Sequence, residues 1–117
     1  MGESILKDKS FLFALEIVKL YQLIVSDKKE FVLSRQLLRS GTSVGANIRE
    51  SQNAQSRADF IHKLSIAQKE CDETLYWLEL LYESEYIDNS QFNLNHSAAE
   101  ELLKMLRSAI ITTKNNS

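Results

Sequence analysis

The chain has no proline, and its three glycines stand at positions 2, 41 and 45. Over 117 residues that scarcity removes the usual means of reversing direction every few residues. A β-protein of this length needs several tight turns, which draw on Gly, Pro or Asn-Gly pairs. Long helices joined by a few polar connections remain, and hydrophobic spacing says where they lie.

Helix 1 is expected over about residues 10–26. Phe11, Ala14, Leu15, Val18, Tyr21 and Val25 form one stripe at helical spacing, with Phe13, Ile17, Leu20 and Ile24 as a second beside it. Glu16, Lys19, Gln22 and Ser26 mark the polar side. Together the stripes exceed the ~100° that a helix in a monomeric bundle buries, so the surplus apolar surface points to an oligomer. Residues 26–30 supply a polar turn. Helix 2 is expected to begin within 31–34, with Ser34 as a candidate cap, and to reach about residue 53.

Ser56 and Asp59 have the spacing of a capping box and open helix 3. It carries Phe60, Ile61, Leu64, Ala67, Cys71, Leu75, Leu78 and Tyr82 along one side and is expected to reach about residue 85. Asp88 and Gln91 form a further capping pair. They open helix 4, whose inner face holds Phe92, Ala99, Leu102, Leu103, Leu106, Ala109 and Ile110. Residues 115–117 read as a frayed tail. The expected fold is all-α, one domain over residues 1–117, an antiparallel up-down-up-down four-helix bundle.

Helix 2 contains a poor helix-forming run, Arg39 to Gly45, in which each interior glycine costs roughly 1 kcal/mol relative to alanine. A break at Ser40 to Ser43 would make a helix-turn-helix. The periodicity favours a continuous helix instead. Leu37, Leu38, Gly41, Val44, Gly45 and Ile48 stay in phase across the supposed turn. In that reading Gly41 and Gly45 lie one above the other and let another helix approach closely.

A second face of the same helix holds Arg35, Arg39, Thr42, Ala46, Arg49 and Asn53, roughly 120° from the apolar centre at 100° per residue. Arg35, Arg39 and Arg49, extended by Arg57 and Lys63, could bind phosphate, since guanidinium forks match phosphate oxygens. They could equally form a solvated flank or pair with acidic groups between subunits. The stripe has no interleaved aromatics for base stacking. Binding there is therefore expected to be weakly sequence-specific and salt-sensitive. The formal net charge is −2, which argues against an indiscriminate polycation. Any basic surface must be local: residues 1–70 hold 11 Lys/Arg against 8 Asp/Glu, and residues 71–117 hold 3 against 8.

Catalytic and metal-binding readings find little support. Asp59 and His62 are the sole acid-x-x-His pair, whereas a bundle di-metal site draws such pairs from several helices. Glu70 and Glu73 lie one turn apart without a matching histidine, and His96 reads as a hydrogen-bonded bundle residue. There is no glycine-rich phosphate loop. No catalytic residue, metal or cofactor is expected. Cys71 is the sole cysteine, so no intrachain disulfide can form. A buried thiol in a reducing compartment suits it. Lys7, Asp8 and Lys9 interrupt the N-terminus before an apolar run develops. Leu6 occupies the position where a myristoylation motif expects Ser or Thr. No segment approaches the ~20 apolar residues of a membrane span. A cytoplasmic protein is expected, without membrane contact.

Ser43-Val44-Gly45-Ala46-Asn47-Ile48-Arg49-Glu50 resembles a signature of the four helix bundle proteins encoded in intervening sequences of bacterial 23S ribosomal RNA genes. Asp59 to Ala67, continuing through Lys69-Glu70 to Tyr76-Trp77-Leu78, is similar to that family's second signature. The resemblance implies a four-helix bundle, shaped in part by Gly41, Ser43, Gly45, Asn47 and Ile48, that assembles into a ring-like homopentamer. Some members of the family bear the name ribosomal protein. The accessory protein of diversity-generating retroelements is a relative, and through it the resemblance implies RNA or DNA binding by a basic surface. Arg49 stands where a small apolar residue is common, and Ser51 where glycine is frequent. The expected function is a non-enzymatic homo-oligomer binding nucleic-acid backbone, with a structural or protein-interaction scaffold as the alternative.

Overall fold

Leu6, which with Ile5 precedes a run of three charged residues, lies in phase with Ser10, Phe13 and Ile17 and is 3% exposed. It carries the first helix well beyond the dense stripes. A computed structural model describes residues 2–116, with side chains from residue 5 onward; Met1 and Ser117 lie outside it. Helix α1 spans Gly2–Leu23 and runs on as a π-helical turn, Ile24–Lys28, which ends where Lys29 adopts φ 54°. The start expected near residue 10 was therefore about two turns late.

Helix α2 spans Leu33–Ser51, α3 Arg57–Glu83 and α4 Asn89–Asn115. No helix among the described residues is long and apolar enough to cross a membrane. Contacts between helices fix the directions. Ile17 meets Gly41 while the earlier Ser10 meets the later Gly45. Arg39 reaches Glu70 and Glu73, while Glu50 reaches the earlier Lys63. Cys71 meets Ala99, while Glu79 meets the earlier His96. Each pair is antiparallel, giving the up-down-up-down bundle expected. The molecule measures 48 × 21 × 19 Å, its long axis set by 27-residue helices of about 40 Å.

The caps explain the remaining boundaries. Ser34 does not cap α2; Glu30 does. Its carboxylate accepts from the backbone N–H groups of Val32, Leu33 and Ser34 at 2.8–3.0 Å, satisfying donors that a helix start leaves without partners. Ser34 is buried and donates its hydroxyl to the Glu30 carbonyl at 2.8 Å. Ser56 caps α3, but Asp59 accepts from Gln55 rather than completing a box on Ser56. Asp88 and Gln91 form the full reciprocal box on α4. Helix α2 stops at Ser51, two residues before the expected end, and Asn115 is still helical.

The core draws on all four helices, including Phe13, Ile17, Leu20, Leu37, Val44, Ile48, Leu64, Leu78, Leu102 and Leu106. Of the two α1 stripes, only Phe13, Ile17, Leu20 and Ile24 are buried. Phe11 and Leu15 remain on the surface, as do Ile5, Leu12 and Leu23, which neither stripe included. Thr74 and Leu81 are fully buried on α3, though the sequence stripe passed over both.

Helix α2 runs unbroken through both glycines, neither of which has positive φ. No helix-turn-helix is present at Ser40 to Ser43. A Cβ on Gly41 would stand 2.8 Å from Ile17 Cγ2 and 3.0 Å from Cγ1. Those atoms belong to a stiff β-branched side chain. On Gly45 a Cβ would stand 3.3 Å from the Ser10 carbonyl oxygen, a milder crowding. Overpacking costs roughly 1–3 kcal/mol, against about 1 kcal/mol regained by helix propensity. Chemical denaturation should therefore show Gly41→Ala destabilised by roughly 1 kcal/mol net and Gly45→Ala much closer to wild type. A double-mutant cycle with Ile17→Ala should show a coupling confined to Gly41→Ala.

Candidate nucleic-acid interface

The outward side of α2 follows from its buried side. Leu37, Gly41, Val44 and Ile48 are buried while Arg35, Arg39, Ala46 and Arg49 are exposed. At 100° per residue the exposed set lies roughly 110–190° from the buried centre, with Arg49 near the 120° expected and Arg39 almost opposite. An opposite face projects between the neighbouring helices α1 and α3, so its edges can reach either one.

They do, and the five cations separate accordingly. Arg39 leans toward α3, where Nη1 lies 3.2 Å from Glu70 and Nη2 2.5 Å from Glu73. Its Nε also donates to Gln36 at 3.2 Å. Arg39 holds the Glu73 carboxyl below the usual carboxylate range through this hydrogen bond. The same bond raises the guanidinium further. Lys63 pairs with Glu50 at 3.0 Å, tying α3 back to the end of α2. These two cations fasten helices together within one chain.

Arg35, Arg49 and Arg57 differ. No ion pair to a carboxylate occurs for any of them among the described residues. Arg49 leans the other way, toward α1, with its guanidinium carbon 5.8 Å from the Phe11 ring centroid. Arg35 and Arg57 both occupy the first turn of a helix, where the macrodipole disfavours a cation. Along α2 the 14 residues from Arg35 to Arg49 span about 21 Å.

The family-motif residues around the stripe are structural. Ser43 donates to the Arg39 carbonyl at 2.7 Å, and Asn47 Nδ2 to the Ser43 carbonyl at 2.9 Å. These i→i−4 bonds keep short polar side chains close to their own helix. Ile48 is buried in the core. The buried side of α2 also includes Ser40, whose Oγ lies 3.0 Å from Thr74 Oγ1; Thr74 donates to the Glu70 carbonyl at 2.7 Å.

Other groups weighed from the sequence are occupied. Cys71 is buried, donates to the Ala99 carbonyl at 3.2 Å, and burial pushes its thiol pKa up to about 12. His96 lies tilted against Phe92, its ring centroid 4.7 Å away, and 2.9 Å from Glu79 and 3.4 Å from Glu100. Glu70 and Glu73 serve Arg39. Asp59 serves the start of α3, and His62 is exposed. No group of three side chains fit to hold a metal gathers among the described residues.

A second surface feature lies on the opposite edge of α1. A groove between α1 and α4 is lined by Leu12, Phe13, Leu94, Asn95, Ala98 and Leu102 and bridged by the Lys9–Glu101 ion pair at 2.9 Å. Leu12 is 60% and Leu94 61% exposed. Asn95 is buried and its Oδ1 has no hydrogen-bond partner.

The sequence model of the 23S rRNA-intervening sequence protein family matches residues 3–108. The chain also resembles a crystal structure from Bacteroides thetaiotaomicron described as a protein with unknown function from the S23 ribosomal protein family. The two are 55% identical, with TM-score 0.92, over 94% of this chain and 98% of that one. No curated protein matches it.

The Arg39 clamp has a pH signature. Glu73 and Glu30 both have folded pKa values below their ordinary 4.5. Burial raises Glu30, but its backbone hydrogen bonds outweigh that. Both therefore contribute stability that is present above about pH 4.5 and lost as pH falls through their lowered values. Thermal melts from pH 7 to pH 3 should show Tm falling below about 4.5. Arg39→Ala should lower Tm at neutral pH and flatten that acid limb, with Glu30→Gln removing a separate part of it.

Proposed function

Because the chain belongs to the 23S rRNA-intervening sequence protein family, we propose that it is a non-enzymatic, self-associating bundle that binds the backbone of RNA or DNA through Arg35, Arg49 and Arg57. One observation carries this reading: these three guanidinium groups stand on exposed helix positions without a carboxylate partner, while Arg39 and Lys63 are engaged within the chain. Cations in the first turn of a helix cost stability, and an unpaired arginine recovers none of it inside the fold. A polyanion recovers it. The protonated, buried state of Cys71 supports the non-enzymatic part and suits a reducing, cytoplasmic setting.

Self-association supplies the strength. Three phosphate contacts from one bundle make a weak site. Five copies around the ring that the family resemblance implies would act on one polymer through effective concentration. The α1–α4 groove is the edge best suited to carry that assembly. Leu12 and Leu94 are exposed along it beside the unpartnered Asn95 acceptor, and Ile5 and Leu23 share the face of α1 that Leu12 occupies. The same groove favours a second reading, a protein-interaction scaffold with no nucleic-acid ligand.

Two experiments separate these readings. In salt-titrated binding to RNA and DNA, the variant Arg35→Ala/Arg49→Ala/Arg57→Ala should weaken affinity and make the slope of log K against log salt shallower by roughly 2–3 per engaged subunit. Arg39→Ala should change stability far more than the slope. An unchanged slope with an intact oligomer excludes the backbone site. By light scattering, Leu12→Glu/Leu94→Glu should shift the protein to smaller species without loss of helix content; an unchanged mass excludes the groove as the assembly edge.

A further inference from the structure

The arginine stripe has no aromatic residue of its own, yet the fold brings one to it from another helix. Phe11 of α1 is 51% exposed, and the Arg49 guanidinium carbon sits 5.8 Å from its ring centroid. Lys7, one turn before Phe11, lines the same shallow depression together with Asp8 and Leu12. An exposed phenylalanine ring between two cations is poorly explained by folding. It buries little, and a cation–π contact at an exposed site contributes only about 0.5–1 kcal/mol.

We propose that Phe11, Arg49 and Lys7 form a stacking site for one unpaired nucleobase and its phosphate, so that the ligand of this surface is single-stranded RNA or DNA. The inference rests on the nucleic-acid reading above and names the form of its ligand. Bases inside a duplex have their faces covered by neighbours. An unpaired base can lie on the open face of Phe11 or on the guanidinium plane of Arg49, and both surfaces accept any base. Arg49 and Lys7 then meet the adjoining phosphate oxygens. Asp8 opposes phosphate on its own side of the depression, and its carboxylate accepts from base N–H groups. Phe11 itself lies about 100° or more around α1 from Ile5, Leu12 and Leu23, so its ring is set to one side of the α1–α4 edge, with Leu12 on the border of both.

The test is fluorescence anisotropy with a labelled mixed-sequence single strand and the duplex of the same sequence, at two salt concentrations. Wild type should prefer the single strand. Phe11→Ala should weaken single-strand binding roughly tenfold or more, leave duplex binding within about twofold, and keep the salt slope, since no phosphate contact is lost. Phe11→Trp should retain or improve single-strand affinity, and light scattering should show both variants with wild-type mass. Wild-type binding that Phe11→Ala leaves unchanged, or weakens equally for both probes, overturns the stacking site while the backbone reading survives. Failure of wild type to bind either probe overturns both.

Discussion

The close approach of α1 and α2 is the constraint on which the other features depend. With a methyl group at position 41 only 2.8 Å from Ile17 Cγ2, the present spacing could not exist. Each glycine costs helix propensity, and van der Waals contact along the helix pair offsets that cost. The same approach brings the end of α2 alongside the first turns of α1. Arg49 can then reach the Phe11 ring. Helix packing and the character of the exposed edge thus share one cause.

The other side of α2 is built from small polar residues rather than glycines. Ser40 and Ser51 are buried there, as is Thr74 across from Ser40. Burying hydroxyls is costly when they lack partners, but these bond to backbone carbonyls of their own segments or to one another. Small volumes on both sides let α2 sit between α1 and α3. Long side chains such as Arg39 are left to span the rims. The Arg39 clamp also has an electrostatic effect: it places a positive charge beside two carboxylates on adjacent turns of α3 that would otherwise repel.

What the sequence disclosed follows from periodicity, and what it hid follows from contacts between helices. The continuous α2 was legible because residues on both sides of Gly41 kept one phase. The Asp88–Gln91 box was legible because its chemistry is local. The first two turns of α1 were not, since Leu6 alone marks their buried side among charged residues. Glu30 was missed as a cap because it lies in what reads as a polar turn, and Ser34 looked the better residue by type. Burial of Thr74 depends on a hydroxyl partner 34 residues away. The sequence identified Arg39 as a cation but could not reveal that Glu70 and Glu73 face it, because the rotation of α3 against α2 is absent from the periodicity of either helix. The juxtaposition of Phe11 with Arg49 was hidden for the same reason.

These facts bear on how a chain of net charge −2 distributes its cations. Its excess of acid lies in residues 71–117, which form the C-terminal half of α3 and all of α4. Where α2 borders α3, that acid consumes basic charge, as at Arg39. Where α2 borders α1, Arg49 shares a depression with Lys7, Asp8 and Leu12 and meets the Phe11 ring instead of a carboxylate. An aromatic face attracts the cation without neutralising it, so the charge stays available to a further anion. Which neighbour each arginine faces, and not the number of arginines, therefore decides whether its charge is consumed within the fold.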